Sequence, residues 1–191
     1  MADTGLIRPQ SHTGFDSNGA NAINDTVVAD DGDAASMVMF SGATDTGIVS
    51  DFTGTDLPAG STVSGVEVTL KAGWAFSQCT TTTFVGKGGA GGSFGGTTVS
   101  QDLAAANGAA STIYTQGSDS ETWGVDWSGF TDLSDLAVKI TAVRTTGTST
   151  TIAAIFAIRA KVYYTAASDP IPRVKILSGK LTLKGGTLTI K

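Results

Sequence analysis

Few residues of this 191-residue chain carry side chains suited to catalysis. His12 is its single histidine and Cys79 its single cysteine. A hydrolase that works with a nucleophile and a base needs a histidine within reach of a serine or cysteine, and His12 lies in a polar segment without a regular pattern. One histidine and one cysteine also cannot form the usual zinc site within a single chain. We therefore expect a surface histidine, a small buried cysteine and no enzyme activity.

Three carboxylates, those of Asp30, Asp31 and Asp33, are closely spaced in the run ADDGDAAS. Carboxylates around a glycine can present oxygens to Ca²⁺, but this run lacks the loop length and the closing Glu of an EF-hand. The alternatives are a metal site and a solvated turn before a strand, and we favour the turn. No cofactor is predicted for the chain.

The glycine run GKGGAGGSFGG, residues 86–96, contains Lys87 and invites comparison with a phosphate-binding loop. Lys87 is not followed by Ser or Thr, and no helix pattern comes after the run, so the required spacing is missing. We predict a mobile surface loop or a cluster of turns.

Trp123 and Trp127, in ETWGVDWSGF, form either an aromatic platform for a sugar or a plug at the end of a β-sandwich. The apolar pattern continues after them, which favours the plug. Glu121 and Asp126 lie nearby, and a glycosidase needs two carboxylates that flank a cleft, but nothing in the sequence indicates that cleft. Trp74 is a third candidate for a sugar-binding surface.

The chain ends with LSGKLTLKGGTLTIK, in which apolar and polar residues alternate around two glycines, a pattern that predicts a β-hairpin. From residue 170 to residue 191 there are five basic residues and no acidic one, so the other 169 residues hold seven basic and all 17 acidic residues. A lone hairpin is marginal in water, so we expect this tail either to add to a partner's sheet or to fold back on its own sandwich. The candidate partner-binding residues are Arg173, Lys175, Lys180, Leu181, Leu183, Lys184, Leu188, Ile190 and Lys191.

Composition excludes several classes of function. Charged residues make up 15% of the chain and the net charge is −5, whereas binding to nucleic acid requires clustered Lys and Arg. The longest apolar run, residues 152–158, is too short to span a membrane, and the start MADTGLIRPQ lacks the features of a signal peptide. We expect synthesis in the cytoplasm and neither a nucleic acid nor a membrane as partner.

The elements that position these residues are predicted to be strands, because the chain is rich in Thr and has 25 Gly. A turn at residues 58–60 precedes an alternating segment, residues 66–71, with Val and Leu on a buried face and Glu67, Thr69 and Lys71 on a wet face. Residues 36–41, 80–85 and 111–115 have strand composition, and residues 101–110 can form one helical turn.

Two later segments, residues 136–144 and 152–164, alternate in the same way and are joined by a short link of Thr and Gly. We predict that they form a hairpin at the centre of a sheet. In the second segment the even-numbered residues from Ile152 to Tyr164 are expected to share one face, with Arg159, Lys161 and Tyr163 on the other. The complete prediction is an all-β chain: a jelly-roll-like antiparallel β-sandwich (26–168), an extended N-terminal arm (1–25) and a basic C-terminal β-hairpin tail (169–191).

Three pieces of the chain together resemble a known family. The run LPAGSTVSGVEVTLKA, the stretch W…F..L.DLAVKI and the strand that ends in KVYYT are similar to patterns in virion structural proteins of tailed bacteriophages. The matching positions are Pro58, Ala59, Gly60, Gly65, Val66 and Val68, then residues 133–140 and 162–165. The resemblance covers residues 30–166 and rests on turns and core faces rather than on a site.

This resemblance implies a jelly-roll sandwich that serves as a capsid or tail component, and the small size favours a capsid decoration (cement) protein. Such proteins commonly sit as homotrimers on the outside of the head, so the implied partners are the major capsid protein and further copies of the chain, and the implied location is the virion surface after synthesis in the host cytoplasm. The alternative is a tail, baseplate or head-fibre subunit with a glycan-binding surface. The arm and the tail have no counterpart in the pattern, so the mode of attachment is not implied by it.

Overall fold

A computed structural model of the chain describes residues 1–15, 34–39, 43–105, 111–146 and 150–167. Within these ranges the regular elements are antiparallel strands in two sheets and two short 3-10 turns, Gly89–Gly91 and Leu133–Asp135. The predicted all-β, jelly-roll-like sandwich is thereby confirmed. No helix in the described ranges is long and apolar enough to cross a membrane.

The first sheet, sheet A, is built on two long strands that pair along almost their whole length. One short strand pairs with the outer edge of the first long strand, and two further short strands pair with the outer edge of the second. In chain order the strands of sheet A are β1 (Ala2–Asp3), β3 (Ala35–Met39), β5 (Thr62–Ala75), β9 (Thr112–Gly117) and β11 (Thr151–Thr165). The long pair is β5 with β11; β9 extends it beside β5, while β1 and β3 lie beside β11.

The second sheet, sheet B, packs against sheet A. Its strands are β2 (Arg8–Thr13), β4 (Thr44–Thr53), β6 (Cys79–Lys87), β7 (Ser93–Phe94), β8 (Val99–Asp102) and β10 (Leu136–Arg144). The spatial order is β2-β4-β10-β6, with β7 and β8 pairing to different parts of β6. The core between the sheets contains fully buried residues from both, among them Val49, Val66, Leu70, Val138, Ile140, Ile155 and Ile158. One shared core is the usual reason for two amphipathic sheets to associate.

The predicted hairpin of residues 136–144 and 152–164 is wrong. β10 lies in sheet B, where it pairs with β4 and β6, and β11 lies in sheet A beside β5. The chain therefore crosses from one sheet to the other between these strands. Alternation shows that each strand has one buried face, and both faces contact the same core, so the pattern alone does not distinguish partners in a hairpin from strands on opposite sides of a sandwich.

The predicted single face along the last strand is also wrong at its start. The register between β11 and β5 shifts between Ile155 and Ala157, which is a β-bulge at Phe156. Ala153 and Ile155 belong to the core cluster before the bulge, and Ile158 belongs to it after the bulge. The extra residue reverses which positions face inward. The run TIAAIFAI hides this reversal because it is apolar on both sides.

The first residues differ from the predicted arm as far as they are described. β1 pairs with the end of β11, and β2 forms an edge of sheet B beside β4. Between them the backbone of Ile7 exchanges two hydrogen bonds with Ala160, at 2.8 and 3.1 Å, and its side chain is buried. A segment that adds strands to both sheets is part of the sandwich. Its alternation of apolar and polar residues is too short and too polar to predict a strand. Such sequences are found in edge strands, which pair with a neighbouring strand on one side only.

The outer face of sheet A is less exposed than the alternation predicted. Thr69 and Arg159, which are opposite each other on β5 and β11, are 6% and 4% exposed, and Lys71 is 9% exposed. The guanidinium of Arg159 donates to the carbonyl oxygen of Ile158 at 2.7 Å. Further along this face Lys161 pairs with Glu67 at 3.7 Å. Long stems allow Lys and Arg to cover apolar surface while their charged ends keep polar contacts.

Several smaller predictions have mixed outcomes. Strands at residues 36–41 and 111–115 are confirmed in part by β3 and β9. In place of a helical turn at residues 101–110, β8 ends at Asp102 and Ala105 forms a bridge with Trp74. Residues 106–110, the acidic run Asp30, Asp31 and Asp33, and the whole tail from residue 169 lie outside the described residues.

The position of Ile7 allows a direct test of the N-terminal strands. We expect Ile7→Ala to lower the free energy of unfolding by about 2–5 kcal/mol, because it removes a buried side chain from the core. The neighbouring change Leu6→Ala is the matched control: Leu6 is 52% exposed, and exposed substitutions usually change stability by less than about 0.5 kcal/mol. Urea unfolding of both variants measures the difference. Equal stability of the two variants would show that residues 1–7 do not belong to the sandwich in solution.

Candidate functional site

Three connections meet at one end of the sandwich, which we call the loop end. They are residues 54–61 between β4 and β5, the turn at residues 88–92 between β6 and β7, and residues 118–135 between β9 and β10. Both ends of the described chain also lie here, since Ala2 pairs with Tyr164. Ala167 lies beside the turn before β5: a Cβ added to Gly60 would be 3.1 Å from the Cβ of Ala167.

Trp123 fills the centre of the loop end and is fully buried. Its indole N–H donates to the carbonyl oxygen of Val66 at 2.8 Å, and its backbone N–H donates to Oε1 of Glu121 at 2.7 Å. Its φ is +58°, an uncommon value for a residue other than glycine. A buried indole with its N–H satisfied acts as a plug, so the plug prediction is confirmed for Trp123.

Trp127 has the same role at the rim. It is 6% exposed, its ring meets the ring of Phe130 edge to face at 4.9 Å, and its N–H donates to the carbonyl oxygen of Thr122 at 3.0 Å. Trp74 is half-buried near the opposite end of β5 and so lies apart from the other two. The three tryptophans therefore do not form one aromatic platform for a sugar.

The glycine run forms turns and a short returning strand, which agrees with the cluster of turns that was one of the two predicted alternatives. After the 3-10 turn at residues 89–91, Ser93 and Phe94 pair back onto Lys87 and Gly86. Gly95 passes so close to the backbone of Trp123 that a Cβ at this position would lie 1.8 Å from the carbonyl oxygen of Trp123. Lys87 donates to the carbonyl oxygen of Ser128 at 3.0 Å, which ties this return to the adjacent loop. Close backbone approach, rather than flexibility, explains why glycine is needed here.

A cleft of about 560 Å³ opens at the loop end between the start of β5 and residues 122–131. Its lining includes Ser61, Val63, Asp126 and Trp127, and Asp126 is its one carboxylate. The pKa of Asp126 is lowered because its carboxylate accepts hydrogen bonds from the backbone N–H and the hydroxyl of Ser128, both at 2.9 Å. Glu121, the other predicted carboxylate, is engaged with the backbone of Trp123. The cleft therefore lacks the pair of acids that glycoside hydrolysis requires.

Two further carboxylates of these loops also accept hydrogen bonds from backbone N–H groups. Asp132 accepts from the N–H and hydroxyl of Ser134, at 2.9 and 2.7 Å, and these bonds lower its pKa. Asp56 accepts from the N–H of Leu133 at 3.3 Å. Such short-range bonds stabilise turns. Within the part of the chain that the structure describes, no group of three or more His, Cys, Asp or Glu side chains is arranged to hold a metal ion.

The two residues with nucleophile or base chemistry are apart from the loop end. His12 is exposed on edge strand β2, with its ring 6.2 Å from the ring of Phe15. Cys79 is a free thiol at the start of β6 and is 1% exposed. Burial, and secondarily the nearby carboxylate of Asp102, raise the pKa of Cys79 to about 12. The surface histidine and the small buried cysteine are both confirmed.

A second polar cluster, which the sequence did not indicate, lies on the outer face of sheet B. Nζ of Lys139, on β10, is 4.1 Å from the ring centroid of Phe84 and 4.6 Å from that of Phe94. Next to this group, the hydroxyls of Thr46 and Thr141 are 3.2 Å apart and those of Thr82 and Ser100 are 3.1 Å apart. These residues come from five strands, and their proximity depends on strand order, which no local pattern reveals.

No protein-family model matches the chain, and a search of curated proteins also finds no match. Among solved structures, the chain is similar to a family 11 carbohydrate-binding module from Clostridium thermocellum, solved in complex with a β-1,3-1,4-mixed-linked tetrasaccharide. The alignment covers 83% of this chain and 95% of that chain, with 13% sequence identity and a TM-score of 0.31. A likeness this distant carries no inference about function.

The plug role of Trp123 predicts a large loss of stability on its removal. We expect Trp123→Ala to lower the free energy of unfolding by about 3–5 kcal/mol, as for other buried aromatic residues. Trp74→Ala is the comparison, with a smaller expected loss because Trp74 is only half-buried. Chemical denaturation measures both. A loss for Trp123→Ala no larger than that for Trp74→Ala would contradict the plug.

The raised pKa of Cys79 predicts an unreactive thiol, because the thiolate is the nucleophile. We expect a disulfide reagent such as DTNB to label the native protein at pH 8 only as fast as the protein opens, and to label it at once in denaturant. The folded chain holds the thiol proton more tightly than the unfolded chain, so this contribution to stability is present below pH 9 and is lost as the pH rises towards 12. Fast native labelling would contradict the buried position.

Proposed function

We propose that this chain is a structural protein of a tailed-bacteriophage virion: a capsid decoration protein that binds the outer surface of the head and acts by burying surface rather than by catalysis. The segments that resemble phage virion proteins support the proposal, because they come together in the fold. Val66, which follows the Pro58–Gly60 turn, pairs with Val162, and Thr62 pairs with Thr165. Leu133 and Leu136 are buried at the start of β10 in the facing sheet.

One observation supports the proposed mode of attachment: the last residue that the structure describes, Ala167, lies at the loop end. Ala167 lies beside Gly60, and the basic residues of the tail follow within the next 24 positions. A body attached through a segment at one end keeps the opposite end and both outer sheet faces away from the attachment point. We therefore assign attachment to the nine tail residues from Arg173 to Lys191 that the sequence indicated.

Residues with catalytic potential have structural roles instead, which supports a function in binding. The thiol of Cys79 is buried, the carboxylate of Glu121 holds the backbone of Trp123, and that of Asp126 holds the backbone of Ser128. We infer that the protein is not an enzyme.

The proposal includes a homotrimer on the capsid. In a symmetric assembly, the basic tail of each copy can contact either the major capsid protein or the acidic body of the next copy. A stable interface of standard size buries about 1,600 Å² in total, which an extended tail can supply for a body this small.

Co-sedimentation with undecorated, expanded heads tests the proposal. We expect the full chain to bind saturably, and a chain that ends at Ser168 not to bind. Because truncation can affect folding, the full-length double variant Lys180→Glu/Lys184→Glu is the sharper test, and we expect it to bind weakly. We also expect binding of the wild-type chain to weaken as salt is added, because salt screens the attraction between charges. Arg8→Glu is the matched control, since Arg8 is an exposed cation on the sandwich.

Thermal melting of each variant separates loss of binding from loss of fold. Absence of binding by the wild-type chain would refute the decoration function. Binding that survives both tail changes would leave decoration in place but would refute attachment through the tail. Salt-sensitive trimers that form without heads would assign the tail to contacts between copies.

A further inference from the structure

Lys139 sits between two phenyl rings on the outer face of sheet B. It is opposite Phe84 in the pairing of β10 with β6, and Phe94 of β7 reaches it from the side. Phe94 lies over Gly86, where a Cβ would be 2.8 Å from Cδ1 of the Phe94 ring. A side chain at this position would therefore collide with Phe94 and with the backbone of Ser93, and a glycine leaves room for both. The result is a cation fixed over an aromatic surface.

The ammonium group of Lys139 remains able to bind an anion. In the described part of the chain Lys139 makes no ion pair, and its contacts are with the two rings. An ammonium has three N–H donors and no acceptor. A cation that contacts only ring faces keeps those donors for a ligand approaching from solvent. Lys139, Phe84 and Phe94 are all partly exposed.

A row of hydroxyls crosses the same face directly beside these three residues. Thr141 follows Lys139 by two positions, so both side chains project from one face. Thr141 bonds to Thr46 on β4 and is opposite Thr82 on β6, which bonds to Ser100 on β8. Neighbouring strands are about 4.7–4.9 Å apart, so the row spans four strands at that spacing.

Each hydroxyl in this row keeps capacity for a ligand. A hydroxyl has one donor and two acceptor lone pairs, and one shared hydrogen bond between two hydroxyls uses one donor and one lone pair. Each pair therefore retains one donor and three acceptor positions. The row can donate to and accept from the same ligand.

We propose that this face, formed by Lys139, Phe84, Phe94, Thr46, Thr141, Thr82 and Ser100, binds an acidic carbohydrate. The sugar carboxylate contacts the ammonium of Lys139, an apolar sugar face packs on the phenyl rings, and the sugar hydroxyls bond to the hydroxyl row. Apolar and aromatic surface with a few placed polar groups is the usual composition of a ligand site. The proposal concerns the isolated chain and does not depend on attachment to a capsid.

Other classes of ligand match this face less well. An apolar protein surface would bury the remaining donor and acceptor positions of the two hydroxyl pairs without partners, which is costly. A nucleic acid requires several cations, and this face has one. A small carboxylate would use Lys139 alone and leave the rings and the hydroxyls unused. A uronic acid satisfies all three groups together.

The test is a titration of the ¹⁵N-labelled full-length protein, followed by NMR, with digalacturonic acid and with its dimethyl ester. We expect shift changes at residues 139–141 and 82–84 with the acid, and at least about tenfold weaker binding of the ester, because the hydrogen bond to a charged group is lost. Lys139→Met, which keeps the stem but not the charge, should weaken binding of the acid to the same degree. Lys139→Arg should restore part of it.

Matched controls make the outcome decisive. Lys161→Met removes one cation from the outer face of sheet A, where Lys161 pairs with Glu67, and should leave sugar binding unchanged. Absence of shift changes with digalacturonic acid, equal binding by the Lys139→Met variant, or equal binding of the ester would each overturn the proposal. Glutarate binding as tightly as the sugar would also overturn it, since the site would then recognise a carboxylate and not a carbohydrate.

Discussion

The pairing of β5 with β11 is the constraint on which the rest of the structure depends. These two strands are the longest in the described chain, and each carries the other short strands of sheet A on its free edge. The register of this pair determines which residues face the core. The β-bulge at Phe156 reverses the inward and outward positions along β11. Because β5 begins and β11 ends at the loop end, the same pairing brings together the turn at Gly60, Trp123 bonded to Val66, and Ala167.

The parts of this fold that the sequence predicted are those set by local chemistry. Alternation in residues 66–71 and 136–144 indicated strands, the proline and glycine at residues 58–60 indicated a turn, and the apolar residues after Trp127 favoured a plug over a platform. Each of these signals depends on neighbours in the chain. The sheet to which β10 or β11 belongs depends instead on partners more than 50 residues away, such as Val85 opposite Val138. The bulge at Phe156 was hidden for a related reason: where both faces of a strand are apolar, a shift of one residue changes no visible pattern.

The difference between neighbours in sequence and partners distant in sequence also explains which candidate sites the sequence indicated and which it did not. Carboxylates at the loop end suggested chemistry because Glu121 and Asp126 are close in sequence, but that closeness is what lets them bond to the backbone of the residues that follow. In contrast, Lys139 is 45 residues from Phe94 and 55 from Phe84, and the three residues lie in segments whose sequences are typical of an ordinary strand or a glycine-rich loop. Their grouping depends on Gly86, because a residue without a side chain at this position leaves room for the ring of Phe94. At the loop end, acidic residues near each other in sequence stabilise turns, while Lys139, the cation for which we propose a ligand, lies beside threonines.

The attachment that we propose for the tail and the ligand site that we propose around Lys139 involve different parts of the chain. Ala167, the last described residue before the tail, lies at the loop end, whereas the face around Lys139 lies on the flat side of β4, β10 and β6. If the proposed attachment starts at the loop end, the side of the sandwich is left open to solvent, so a ligand on sheet B would not compete with a partner that holds the tail. The charge distribution is consistent with this separation, because the basic tail contrasts with an acidic body in which Lys139 is a local exception. A net negative body keeps general anions at a distance, so an anion that binds at Lys139 must be selected by the rings and hydroxyls around it rather than by charge alone.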